Sequence, residues 1–359
     1  MMKRREFLKT AVMGFVVPAL SRPPTIGSFN CGKESIIEMG KNGTSYWYGE
    51  PEVMKFRDGK LGAYSMQFDD SMASQVNTAI PHLNWRGLVG TFFVNPGRSR
   101  YQQGKYTWEV ICPKFGHELT NHTMTHRGAK DYEEADYEVG ECSRHIWKLY
   151  PDKSKLLPFA RGGGTTWDIT REQMEELMEK YFLYRRPSSG SMREDTGTSS
   201  RMTSYPQRAI DEGIWVPVHF HGISGEYINV TEEAFVELLD YIVACQDRLW
   251  IGTAGSVYKY QQEYEALSSV SITDARKDSF RVVVECDESK VNTYNAAFAE
   301  LYNEPLTVRN EVPKQWSDFF VRQGREVRSY PVTEVDGKRY AQYDVRPNIG
   351  EAVVTALSV

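Results

Sequence analysis

Short runs of alternating hydrophobicity along this chain take turns with stretches whose apolar residues recur at helical spacing. Ala63-Tyr-Ser-Met-Gln-Phe68 alternates apolar with small or polar residues, as a strand does when its two faces meet different surroundings. Trp215-Val-Pro-Val-His219-Phe-His221 reads as a second strand, with His219 and His221 on the face shared by Trp215 and Pro217. Between them, Ala135, Val139, Cys142, Ile146 and Leu149 fall on one side of a helix. Thr170 with Gln173 forms a capping box that opens an amphipathic helix towards Phe182. Thr231, followed by Glu232 and Glu233, starts another helix that runs to about Ala244. Strands punctuated by such helices predict an α/β barrel with its site at the strand ends.

From Ser271 the pattern changes. Phe280-Arg-Val-Val-Val-Glu285 and Tyr340-Ala-Gln-Tyr-Asp-Val345 read as strands, and Val335-Asp336-Gly337-Lys338 is a hairpin turn signal. Residues 271–359 are therefore expected to form a small β-sandwich in which only Tyr294 to Tyr302 is helical. It carries no catalytic cluster, which favours a scaffold that buttresses the barrel over a carbohydrate-binding module. No internal repeat or low-complexity tract interrupts either region.

The first 30 residues have the layout of an export signal. Lys3-Arg4-Arg5-Glu6-Phe7-Leu8-Lys9 precedes an apolar run from Ala11 to Leu20 and then Ser, Arg and Pro, which resembles a twin-arginine signal. Export would place the protein in the periplasm or outside the cell.

The chain has 359 residues and a formal net charge of −5, so it lacks the basic footprint of a nucleic-acid binder. Mean hydropathy is negative. Beyond the N-terminus no apolar stretch approaches the ~20 residues needed to span a bilayer, so no stable membrane span is expected after signal removal. The five cysteines, Cys31, Cys112, Cys142, Cys245 and Cys286, are an odd count without Cys-x-x-Cys spacing and are read as structural. Oligomeric state leaves no mark in the sequence.

Candidate chemistry sits where the first strand pattern stops. Asp69 and Asp70 end it, and His122-Thr-Met-Thr-His126 follows some way on. Histidines four apart on a helical turn project from the same side and can converge on one ion. Asp70, His122 and His126 thus make a three-ligand set for a divalent metal, zinc first, with cobalt, nickel or iron as alternatives. Such a metal lowers the pKa of bound water to roughly 7. Asp69 is left free as the base, and one of His219 and His221 can act as a proton donor. Taken singly, an Asp-Asp is most often a turn and a His-x-x-x-His an exposed helix face; the combination narrows the reading.

These segments resemble the polysaccharide deacetylases of the NodB-homology group, carbohydrate esterase family four. Gln67-Phe-Asp-Asp70 is similar to the family's T-F-D-D motif, with Gln67 in place of threonine, and Gly116-His-Glu-Leu-Thr-Asn-His122-Thr-Met-Thr-His126 to its second. Gly90-Thr-Phe-Phe-Val94 resembles the strand between them. The resemblance implies a distorted (β/α) barrel, often of seven strands, over about residues 45–265. It further implies Asp69 as general base, Asp70, His122 and His126 as metal ligands, and His221, followed by Gly222, as general acid. The family arginine that pairs with the catalytic Asp would be Arg161 in Phe159-Ala-Arg161-Gly-Gly-Gly164, although the Pro-Pro of that motif is missing. Asp211 and Trp215 are candidates for the element that supports the acid histidine. Trp167, beside the glycine run, and His219 are the expected substrate contacts, since sugar rings stack on indoles.

The expected activity is metal-assisted removal of an N- or O-acetyl group from a glycan or oligosaccharide. Two rival readings remain: a glycan-binding protein on a catalytically decayed barrel, and a non-haem Fe(II) oxygenase built on His122, His126 and the His219/His221 pair.

Overall fold

The computed structural model describes residues 37–39, 45–193 and 199–357. The expected export signal and Cys31 lie outside the described residues.

The central element is the strand Gly62–Asp69, buried along its whole length. Parallel neighbours flank it on both sides: Trp215–Phe220 pairs with Ala63 to Phe68 on one edge. On the other edge Leu249–Ile251 pairs with the start of the strand, and Thr91–Val94 with its end. Glu118–Asn121, Leu157–Phe159 and Leu183–Arg185 continue the sheet from Thr91–Val94, and the short Gly190–Ser191 borders Trp215–Phe220. With helices between the strands, this curled parallel sheet is the distorted (β/α) barrel that the sequence predicts.

The alternation in Ala63–Phe68 reflects two different surroundings, as expected, although both faces are buried. Phe68 stacks on Phe92 at 4.8 Å and on Phe220 at 5.3 Å, within a core that includes Tyr64, Met66 and Trp108. The polar face is buried as well but hydrogen-bonded: Ser65 Oγ donates to Gly252 O and Gln67 Nε2 to Pro187 O. Such a partner offsets much of the cost of burying a polar side chain. Phe68→Ala would cost about 3–5 kcal/mol, through lost transfer energy and the cavity left behind.

Helix starts carry side-chain caps, at Thr170 and Thr231 as expected and at Asp131 in addition. Asp131 caps Tyr132–Leu149 through Glu134 N, and Thr231 caps Glu232–Ala244 through Ala234 N. Thr170 and Gln173 form both arms of the capping box at the head of Arg171–Lys180.

Two antiparallel sheets follow the barrel. Leu267–Ala275, Ser279–Cys286, Ala352–Ala356, Asp318–Gln323 and Glu326–Pro331 form one. The other joins Thr333–Val335, Lys338–Val345 and Leu306–Glu311 to Glu52–Val53, a strand that precedes the barrel. The hairpin turns on Asp336 and Gly337, both at positive φ as a primed turn requires. The expected helix from Tyr294 shrinks to Phe298–Leu301, because Tyr294 and Asn295 take left-handed backbone angles that no helix admits. Phe280, Trp316, Phe319 and Tyr343 fill the space between these sheets, and the same core takes in Trp250, Val257 and Tyr260 from the foot of the barrel. The described residues accordingly form one compact unit. Cys112, Cys142, Cys245 and Cys286 are free and buried. Among the described residues no helix is long and apolar enough to cross a membrane.

Candidate active site

Asp69 and Asp70 stand at the carboxyl end of the central strand, with only 3% and 2% of their surface exposed. Asp70 and Ser71 both take positive φ, so the chain turns sharply as it leaves the sheet. Ser71 Oγ accepts from Asn95 N, and Asp70 N donates to Phe93 O, which fixes that turn to the neighbouring strand.

His122 and His126 do not sit on a helix as their spacing predicts. They lie on a loop after Glu118–Asn121, with Thr123 at φ 70° and His126 at φ 58°. Positive φ at a β-branched threonine is strained. A dense set of bonds holds it: Thr123 N donates to Asn121 Oδ1, Asn95 Nδ2 to the His122 and Thr123 carbonyls, and Thr125 N to the Glu138 carboxylate. Gly162 leaves room for the second ring, since a Cβ there would lie 2.5 Å from His126 Nε2.

The loop brings the expected ligand atoms together. His122 Nε2 and His126 Nε2 lie 3.5 Å and 3.2 Å from Asp70 Oδ1, and the three donors fall within 4.8 Å of one another. Corners of a tetrahedron with metal bonds of about 2.0–2.1 Å are roughly 3.3 Å apart, so the spacing suits one cation. The chemistry of the set agrees. Asp70 Oδ1 is buried with no hydrogen-bond partner among the described residues, a costly arrangement unless a cation faces it. His122 Nδ1 lies 2.7 Å from Ala160 O, which places its proton there and leaves the Nε2 lone pair pointing at Asp70. Burial and the neighbouring His122 hold His126 below the ordinary histidine pKa, and so neutral and able to ligate.

Asp69 faces the same pocket from a different environment. Burial, the largest single influence, would raise its pKa, but the Arg186 guanidinium bonded to Oδ1, together with His122 and His221 nearby, holds the carboxyl below its usual range. Its other oxygen lies 3.8 Å from His221 Nε2, which is also 3.9 Å from Asp70 Oδ2. An ionised carboxylate and an imidazole thus flank the three-donor set.

The partner of Asp69 is a correction to the sequence reading. Arg161 does not reach Asp69; its guanidinium lies 6.0 Å over the ring of Trp167. Arg186 comes from the next strand along, Leu183–Arg185, and the signal for it was the Arg186-Pro187 pair at that strand's end. Asp211 and Trp215 are likewise elsewhere: Asp211 accepts from Gln207 on an exposed helix face, and Trp215 Nε1 donates to Ser65 Oγ. His221 Nδ1 is buried with no partner among the described residues. His219 Nδ1 pairs with Ser188 Oγ at 2.8 Å, and burial pushes its pKa down to about 4, so it is neutral at pH 7 and a poor proton donor. Trp167 is half-buried, packs against the barrel core and donates from Nε1 to Thr165 Oγ1.

Tyr227 is a side chain at this site that the sequence reading missed. Its hydroxyl donates to Asp70 Oδ2 from a loop that folds back after His221, with Ser224, Gly225, Glu226 and Ile228 all at positive φ. Arg98, 3.9 Å from Asp70 Oδ1, is another.

Residues 58–182 match the family model described as polysaccharide deacetylase. Over that stretch the barrel matches a polysaccharide deacetylase domain. This stretch contains the acidic pair, both site histidines and the glycine run, while Arg186, His219, His221 and Tyr227 lie beyond it. A gellan lyase from a Bacillus species is 22% identical over 86% of this chain, which spans only 13% of that protein. Two solved structures are also similar to this chain. The peptidoglycan deacetylase PdaC from Bacillus subtilis has 16% identity and a TM-score of 0.42, over 57% of this chain and 94% of that one. The family 4 carbohydrate esterase from Streptomyces lividans has 15% identity and a TM-score of 0.41, over 54% and 93%.

Proposed function

We propose that this polysaccharide deacetylase domain is an active, metal-dependent hydrolase that removes N- or O-acetyl groups from a glycan. The observation that carries the reading is the pairing of three cation donors, Asp70, His122 and His126, with an ionised Asp69 and the His221 imidazole around one pocket. A divalent cation held by those donors, zinc first, would supply Lewis acidity for the acetyl carbonyl and a water acidic enough to deprotonate near neutral pH. Asp69 accepts the proton of the attacking water, and its bond to Arg186 keeps the carboxylate ionised and aimed. The water oxygen adds to the acetyl carbon. As the acetyl C–N or C–O bond breaks, His221 gives a proton to the departing amine or alcohol, so acetate and a deacetylated sugar leave. Tyr227 restrains Asp70 through Oδ2, leaving Oδ1 to face His122 and His126.

The twin-arginine-like start supports export as the setting for such an enzyme, and the core shared with the barrel foot supports the sandwich as its scaffold. The likeness to a gellan lyase puts gellan beside chitin, peptidoglycan and acetylated xylan in the substrate screen. Acetate release from these glycans, before chelation, after chelation and after restoring the metal, tests the reading. Release that depends on the metal supports it; a protein that binds the glycans but releases nothing in any state would be the decayed barrel instead.

A further inference from the structure

Next to the catalytic pocket the barrel holds a second cavity of about 530 Å³, a size typical of small-ligand sites. Its lining is distinctive for a chain with a net charge of −5: Arg161, Arg171, Arg185 and Arg186 surround an apolar floor that includes Phe159 and Met174, and no carboxylate lines it. Two shared residues tie it to the reaction site. Arg186 lines this cavity while bonding Asp69, and Ala160 lines it while its carbonyl meets His122 Nδ1.

The four guanidinium groups are not equivalent. Arg186 is committed to Asp69, and Arg185 to Glu175, whose Oε1 also lies 3.9 Å from Arg171 Nε. Arg161 makes no ion pair among the described residues. Its exposed guanidinium is held over the Trp167 ring, a contact that positions a cation without neutralising it. Beside it Gly163 and Gly164 leave open space, where even an added Cβ would touch nothing within 4 Å. An apolar floor under a rim of planar, always-charged donors suits a sugar ring that bears an anionic group, because the ring's C–H face packs on the floor while guanidinium forks bind the oxyanion.

We propose that this cavity is a subsite for a negatively charged sugar residue, with Arg161 as the specificity-determining cation, so that the preferred substrate is an acidic glycan. A carboxylate on a uronic acid and a sulfate ester present the same chemistry to the arginines. The link to turnover rests on the deacetylase reading above; the binding claim does not.

Titration calorimetry of the whole protein with a uronate tetrasaccharide, a sulfated tetrasaccharide and an uncharged tetrasaccharide tests the proposal directly. Binding of at least one acidic probe about tenfold tighter than the neutral one, a difference of about 1.4 kcal/mol that weakens with added salt, is expected from one charge-assisted contact. Which acidic probe binds decides between the two sources. Arg161→Gln should bring acidic and neutral affinities together, and Arg161→Lys should restore part of the difference while keeping the salt dependence. Equal affinity for charged and neutral probes in the wild type, or an unchanged preference in Arg161→Gln, overturns the subsite. Acetate release from acetylated forms of the same probes separates the two claims: loss of turnover on every probe with the binding preference intact would count against the hydrolase reading and leave the subsite standing.

Discussion

One short strand, Glu118–Asn121, joins two buried acidic clusters of opposite character. Just past its end His122 faces Asp69 and Asp70; at its start Glu118 lies near Glu304, which in turn neighbours Glu263, between the barrel foot and the sandwich. All of these carboxyls are shielded from water, yet their ionisation differs. At the upper end Arg186, His122, His126 and Tyr227 surround the aspartates and hold both below the usual carboxylate range against the push of burial. At the foot burial prevails for Glu118 and Glu263, which are raised, and only Glu304, beside Lys259 and Arg57, is lowered. Glu118 accepts from Thr91 Oγ1 and Gly255 N and thereby seats the helix Ala254–Glu265, whereas neither carboxyl oxygen of Glu263 has a partner among the described residues. Burial therefore does not define the site. What does is an ionised pair faced by Arg186 and the imidazoles of His122, His126 and His221.

The largest effect expected from breaking this contrast is at the upper cluster. His126→Ala removes one of three donors and should abolish both metal retention and acetate release, measured by elemental analysis and by enzymatic acetate assay. Asp69→Asn should keep the metal and lower turnover by about 10²–10⁴-fold, the usual worth of a general base. Tyr227→Phe removes a hydrogen bond to a ligand rather than the ligand, so a fall in metal affinity of about 10–100-fold, with partial activity at saturating metal, is expected.

How much of this was legible in the sequence follows the range of the interactions. Gln67-Phe-Asp-Asp70, the capping residues Thr170 and Thr231, and the Asp336-Gly337 turn act on their own neighbours, and each appears where expected. The histidine motif identified the right atoms but the wrong backbone. Four-residue spacing fits a helix, and the alternative, a loop with Thr123 and His126 at positive φ, depends on Asn95, Glu138 and Gly162 from elsewhere in the barrel. Arg186 and Tyr227 were missed for the same reason: which strand end supplies a cation, and which loop folds back, are settled by tertiary packing. Glu52–Val53 is too short to read as a strand until Arg309 and Val308 pair with it.

The smallest effect on activity is expected at the foot. In the unfolded chain Glu263 ionises near pH 4.5, whereas in the folded chain burial keeps its proton to higher pH. The folded state thus holds the extra proton above pH 4.5, and the group contributes less to stability as pH rises from there towards its folded pKa. Glu263→Gln removes that dependence and should raise stability at pH 7 by roughly 1–3 kcal/mol, with acetate release unchanged. Denaturant unfolding at pH 4.5 and pH 7 checks it, since the gain should be larger at pH 7. A loss of turnover in Glu263→Gln would erase the distinction between the two clusters.

The account depends most on one cation shared by Asp70, His122 and His126, and a cobalt(II) absorbance titration of chelator-treated protein tests it most directly. Wild type and Asp69→Asn should each take up a single ion with the same tight affinity, and His126→Ala should take up none. Uptake by His126→Ala as tight as by wild type would contradict the assignment of Asp70, His122 and His126 as the metal centre.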